Sequence, residues 1–293
     1  MTHTIENNAL SITVSDHGAE LISIYDKEND REVLWQADPA FWNRHAPILF
    51  PHVGKYFNDE CHYNGKIFPT HQHGFARDMD FSCVAKTEYS VTHRLIADND
   101  TRSYFPFDFS LTVTHSLSGK NITVTWQVEN PNQDIMYFTI GGHPAFRVPI
   151  LPDTKQTDYC LLFQTSSDHL DYLLIEPNSG TAVKEKVYSL PLDHGRAAIT
   201  SNMFDNDALI FDDSQFDWVG IGYPDGTPYI SMSCKGFPNF GIWSLPNAPY
   251  ICLEPWIGRC DDFGFTEDIS KKENIIKLPS HETFNSNYII TIH

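Results

Sequence analysis

Runs in which apolar and polar residues alternate recur along the whole chain, at residues 10–14, 21–24, 107–113, 122–126, 229–233 and 288–292. A period of two sends successive side chains to opposite faces, so each run reads as a half-buried β-strand. Sixteen glycines and 18 prolines punctuate these runs. Helix candidates are short; one is 39–43, with Asp38 as cap and Pro39 in the first turn. So many short strands in 293 residues predict an all-β protein, a large antiparallel β-sandwich of two sheets packed face to face. No compositional break marks a boundary, so residues 1–293 read as a single domain. The polar 178–195 segment reads as a peripheral hairpin or loop, and 98–103 as a turn.

Charge narrows the partners. A formal net charge of -18 repels phosphate backbones and anionic membranes, and no basic cluster offsets it, so neither nucleic acid nor a membrane is expected. The six cysteines (Cys61, Cys83, Cys160, Cys234, Cys252, Cys260) are scattered without a C-x-x-C pair and read as buried free thiols. With no basic flank or long apolar segment at residues 1–8, and no apolar run of spanning length later, the expectation is a cytoplasmic protein.

Three stretches carry titratable groups where they are costly or useful. In Tyr250-Ile251-Cys252-Leu253-Glu254-Pro255-Trp256 an apolar strand delivers one carboxylate, and Pro255 predicts that pairing ends there and leaves Glu254 at a strand mouth. In Gln72-His73-Gly74-Phe75-Ala76-Arg77, Gly74 permits a turn that can aim His73 inward, and an imidazole can give or take a proton near neutrality. In Gly141-Gly142-His143-Pro144 a strand ends in a glycine pair and His143 is held extended by the proline after it. Each has a plainer alternative: an edge acid in water, a hydrogen-bonded structural histidine, a turn histidine in solvent.

These stretches, with Pro51-His52-Val53-Gly54-Lys55 before them and Asn206-Asp207 and Phe211 between, resemble the aldose 1-epimerase, or galactose mutarotase-like, superfamily. The similarity is greatest to its LacX-type branch, related to hexose-6-phosphate mutarotases, and spans most of the chain. The resemblance implies a β-supersandwich that interconverts sugar anomers without cofactor or metal. Glu254 would be the general base, His143 the general acid, and His73 their partner at the ring oxygen. Asp207, with Asp205 two positions away as the alternative, would bind a sugar hydroxyl, and Arg77 would contact substrate. Lys55 stands where relatives commonly carry Arg; it keeps the charge and loses the bidentate fork. The expected partner is a small-molecule sugar or sugar phosphate, and a homodimer is open as the assembly. Lys55, Arg77, Arg44 and Arg147 could neutralise a phosphate if two or more converge. Phe75, Trp243 and Trp256 could stack on a pyranose or simply fill the core.

Two other readings compete. Gly65 to Asp78 spells G-x₅-H-x-H-x₄-D, close to a cupin metal motif, in which His71, His73, Asp78 and His143 would hold a metal. A non-catalytic carbohydrate-binding module is the other, although binding alone has no need of two histidines and a glutamate together.

Overall fold

The computed structural model describes residues 1–293 and consists of antiparallel strands with five short 3₁₀ turns and no α-helix. Nine strands form the largest sheet. From edge to edge they are Arg196–Ala198, Cys160–Phe163, Trp218–Gly222, Pro228–Ser233, Thr283–Ile292, Asn121–Glu129, Ser110–Ser118, Ser90–Ile96 and Ser82–Lys86. A second sheet runs Leu209–Phe211, Asn239–Trp243, Tyr250–Ile257, Ile140–Gly142, Ile48–Leu49, with Ala145–Arg147 pairing along the first half of Tyr250–Ile257. A third, four-stranded sheet is formed by Thr2–Glu6, Leu10–Ser15, Leu21–Asp26 and Arg31–Glu32.

The alternation read from the sequence builds the core. Ile122, Val124, Trp126 and Val128 share one apolar cluster with Ile251, Leu253, Phe240 and Ile242 of the second sheet and with Leu10, Ile12 and Val14 of the third. The two large sheets therefore pack face to face, as the pattern predicts. Period two has a second effect. Ile251 and Leu253 enter that core, whereas Cys252 and Trp256 belong to small clusters on the opposite face of their sheet. Glu254 follows Cys252 and Trp256, so the acid is sent to the outer face of the second sheet.

Three local expectations are corrected. Pairing does not stop at Glu254: the strand continues through Pro255, which sits opposite Phe240, to Ile257. The Leu253 N–H donates to the Pro144 carbonyl, so the ring nitrogen of Pro255, two residues on, faces the same edge. That edge is the break between Ile140–Gly142 and Ala145–Arg147, where the ladder demands no N–H. Residues 39–43 form no helix; Asp38 accepts the N–H of Ala40 with its side chain and those of Phe41 and Trp42 with its carbonyl, closing an isolated turn. The strand expected at 107–113 begins at Ser110. The 98–103 turn is present, as is a hairpin at the periphery, where Tyr188–Pro191 of the polar segment pairs with His169–Tyr172.

Candidate active site

A cavity of about 370 Å³ opens on the outer face of the second sheet, a size suited to a small molecule. A wider groove, beside residues 4–8 and 86–89, contains no histidine. Glu254 and Trp256 lie on the cavity's floor strand, and the slot for Trp256 is cut by two glycines. A Cβ on Gly241 would stand 2.4 Å from the indole ring, and one on Gly141 2.6 Å from it, so only hydrogens fit there. The indole can then lie across the sheet beside the carboxylate.

His143 comes from the break beside this strand. Its N–H donates to the Pro47 carbonyl, and its ring stacks on Trp42 with centroids 4.7 Å apart. The Nε2 of His143 stands 3.2 Å from Oε2 of Glu254. Both residues are buried, at 6% and 1% exposure, yet Oε2 and the His143 Nδ1 have no aligned hydrogen-bond partner. Unpaired polar atoms are costly to bury, and atoms left so beside a cavity are poised for a polar ligand.

His73 meets His143 edge-on, with ring centroids 5.4 Å apart. It is clasped by Gly54: the His73 N–H donates to the Gly54 carbonyl at 2.8 Å, and the Gly54 N–H donates to Nδ1 at 3.1 Å. An Nδ1 that accepts carries no proton in the neutral ring, so Nε2 holds it and is a donor. Gly74 is required here. It has φ +69°, and a Cβ would lie 2.2 Å from the Phe50 carbonyl oxygen.

Burial shapes the proton affinities. It is the first cause lifting the Glu254 carboxyl well above the usual range; the charge of Asp207 adds to it, and the Trp256 indole N–H acts the other way. Burial, then the charge of Arg77, pushes the His143 imidazole down to about 3, and burial with His143 behind it pushes His73 well below its usual value. An ordinary carboxyl is the stronger acid of such a pair; here the two affinities move toward and past each other, which favours the charge-free pair.

The rim sorts the remaining candidates. Asp207 lines the cavity and Asp205 does not; Asp207 has φ 75° and accepts the Ala208 N–H through Oδ1 at 2.7 Å. Arg77, Arg44 and Lys55 all line it, whereas Arg147 is exposed elsewhere with Nη1 near the Glu32 carbonyl. Arg77 donates to the Gln72 carbonyl at 2.7 Å, and its buried Nε has no aligned partner. Burial and the neighbouring Arg44 charge lower its affinity for its proton to about 10. Arg44 reaches Asp78 at 2.8 Å and Lys55 reaches Asp59 at 3.5 Å. Trp243 and Trp256 face the cavity; Phe75 packs on the core instead, against Phe109.

Sequence reasoning missed Trp42, the plate under His143, because 39–43 was read as a helix. It also missed Ile175 and Gly180, which close the cavity from a long loop. No residue pattern marks them. The cupin metal set is not assembled: His71 is exposed, packs at a tilt against Tyr104 and does not line the cavity. His143, Cys252 and Glu254 do bring donor atoms within 4.8 Å of one another, and burial, then the charge of Glu254, raises the Cys252 thiol well above its usual range.

The antiparallel sandwich is the fold of galactose mutarotase-like proteins. A galactose mutarotase related enzyme from Lactobacillus acidophilus superposes with a TM-score of 0.94 at 31% identity, over 100% of this chain and 97% of that one. A galactose mutarotase-like protein from Lactobacillus casei gives 0.92 at 31% identity, covering 100% of both. The protein LacX of Lactococcus lactis is 31% identical over 100% of this chain and 99% of its own length. The aldose 1-epimerase family model matches residues 1–172, and the chain belongs to that family. No helix is long and apolar enough to cross a membrane.

Proposed function

We propose that the protein interconverts the α and β anomers of a hexose or hexose 6-phosphate. The observation that carries this reading is the 3.2 Å approach of Glu254 and His143 on the cavity floor. In the active form the pair holds one proton, on His143. The Glu254 carboxylate takes the proton of the anomeric hydroxyl while the imidazolium gives its own to the ring oxygen, and the C1–O5 bond opens to an aldehyde. This leaves Glu254 protonated and His143 neutral, the charge-free arrangement that burial favours. Rotation about C1–C2 and the reverse transfers close the ring on the other face. His73, a fixed Nε2–H donor, steadies a sugar oxygen, and Asp207 receives a hydroxyl. General acid-base transfer of this kind contributes roughly 10² to 10⁴-fold.

The rim supports the phosphorylated member of the class. Arg44 and Arg77 share a single acid, Asp78, which leaves cationic charge beside the cavity. Magnetisation-exchange NMR on equilibrated glucose, galactose and their 6-phosphates tests the proposal. Accelerated anomer exchange is expected; none with any of the four sugars, at protein concentrations where a sugar binds, would leave a binding module in its place.

A further inference from the structure

A second group of side chains, none of which lines the catalytic cavity, brings metal-ligating atoms together. One ring nitrogen of His3, one of His93 and the Sγ of Cys83 lie within 4.8 Å of one another. They arrive from different places: His3 from the edge strand Thr2–Glu6 of the four-stranded sheet, Cys83 and His93 from the last two strands of the nine-stranded sheet, where they are direct cross-strand partners. The register that pairs Cys83 with His93 turns both toward the N-terminal strands.

Asp16 lies behind the two imidazoles, with its Oδ2 3.0 Å from the Met1 ammonium. Its Oδ1 is 2.8 Å from the His3 Nε2 and 3.2 Å from the His93 Nε2, so one carboxylate oxygen holds both rings. His93 is fully buried, and its Nδ1 has no hydrogen-bond partner. Core packing does not call for an imidazole with an orphaned nitrogen beside a thiol and a carboxylate; an apolar side chain would fill the place at lower cost.

We infer that His3, Cys83 and His93, with Asp16 as the acceptor that orients both imidazoles, bind a divalent cation of the zinc class. Two nitrogens and a thiolate, with a water as fourth ligand, are a borderline-soft set that suits tetrahedral Zn²⁺, and a carboxylate behind a ligating imidazole is the usual support for such a centre. Tetrahedral ligands at about 2.0 to 2.3 Å from an ion stand roughly 3.3 to 3.8 Å apart, so donors separated by up to 4.8 Å close by about 1 Å or more on binding, a movement that side-chain rotation can supply. The metal would cross-link the N-terminal edge strand to the far end of the nine-stranded sheet. Its role is structural, because the anomerisation chemistry is elsewhere.

The test uses the full chain without a histidine tag and Co²⁺ as probe. One equivalent is expected to give the ligand-field bands of a tetrahedral site with a sulfur-to-metal charge-transfer band, both displaced by Zn²⁺. Cys83→Ser should remove the charge-transfer band and His3→Gln weaken binding at least tenfold; both positions are partly exposed, so these variants should fold. Cys252→Ser should leave the spectrum unchanged, and anomer exchange should be the same in wild type and Cys83→Ser. Zn²⁺ should raise the melting temperature of wild type and not of Cys83→Ser. Absence of the charge-transfer band, or its survival in Cys83→Ser with loss in Cys252→Ser, overturns the site.

Discussion

The Glu254 carboxyl and the His143 imidazole face each other across 3.2 Å, both buried on the floor of the cavity. Burial raises the affinity of the acid for its proton and lowers that of the base, so the usual order of the pair is undone. Replacing the acid by its neutral isostere keeps shape and removes proton transfer. Glu254→Gln should therefore lower anomer exchange by roughly 10² to 10⁴-fold while sugar affinity changes little. Exchange NMR and calorimetric titration of the same sample check the two halves; equal loss of binding and exchange would contradict the assigned role.

The same substitution has a consequence for stability. A carboxyl whose folded value is raised favours the folded state only below its ordinary value near 4.5, and its contribution is lost as pH rises through the raised value. Glu254→Gln should thus match wild type in melting temperature below pH 4.5 and exceed it increasingly as pH rises toward neutrality. A difference that is flat with pH would mean that folding does not raise the proton affinity of this carboxyl.

Buried imidazoles act at the acid end. His52 and His143 are each pushed down to about 3 by burial, from 6.5. The unfolded chain takes up those protons near 6.5 and the folded one does not until about 3, so the stability they confer is complete above 6.5 and drains away between these values. Each such group adds up to about 1.4 kcal/mol per pH unit to the slope. Urea midpoints should fall between neutrality and pH 4, and His52→Gln, whatever its stability at neutral pH, should fall less steeply.

Arg77 carries a buried Nε without an aligned partner and is pressed by the charge of Arg44. An anion at the rim would relieve both. Arg77→Gln should raise KM for a hexose 6-phosphate by roughly tenfold or more, about the 1.5 to 3 kcal/mol of a charged hydrogen bond, and leave kinetics on the free hexose nearly unchanged. Parallel loss on both substrates would assign Arg77 to the architecture of the His73 loop instead.

Much of this was legible in the sequence because period two is a local signal. Alternation alone gives the strands, the face-to-face core and the face on which Glu254 emerges. Glu254, His143 and His73 stand out as titratable groups beside glycine or proline, Asp207 is reached only through the family resemblance, and the fold brings all four to one cavity. Less was legible where the reason lies on another strand. Pro255 reads as a strand end until the break at His143 and Pro144 removes the demand for its N–H. Phe75 and Trp256 look alike as aromatics beside motifs, but Phe75 lies in the bend before Ala76–Asp78 and packs on the core, whereas strand register sends Trp256 to the cavity. Trp42 belongs to a turn whose partner lies a hundred residues further along.

Gly241 shows how closely the cavity floor depends on such a distant neighbour. Its backbone needs no special conformation, so alanine is permitted locally, but the added Cβ would lie 2.4 Å from two carbons of the Trp256 indole. The other end of the ring is hemmed in as well, since it passes over Gly141 of the adjacent strand, where a Cβ would stand 2.6 Å from its Cδ1. It must lift into the cavity or force the strands apart, and overpacking of this sort costs about 1 to 3 kcal/mol. Gly241→Ala should therefore lower the melting temperature by several degrees. It should also reduce anomer exchange more than Trp256→Phe does, because a smaller ring leaves the Glu254 carboxyl in place. Intrinsic fluorescence would report the displaced indole; an unchanged spectrum together with wild-type exchange would show that the floor yields without moving Trp256.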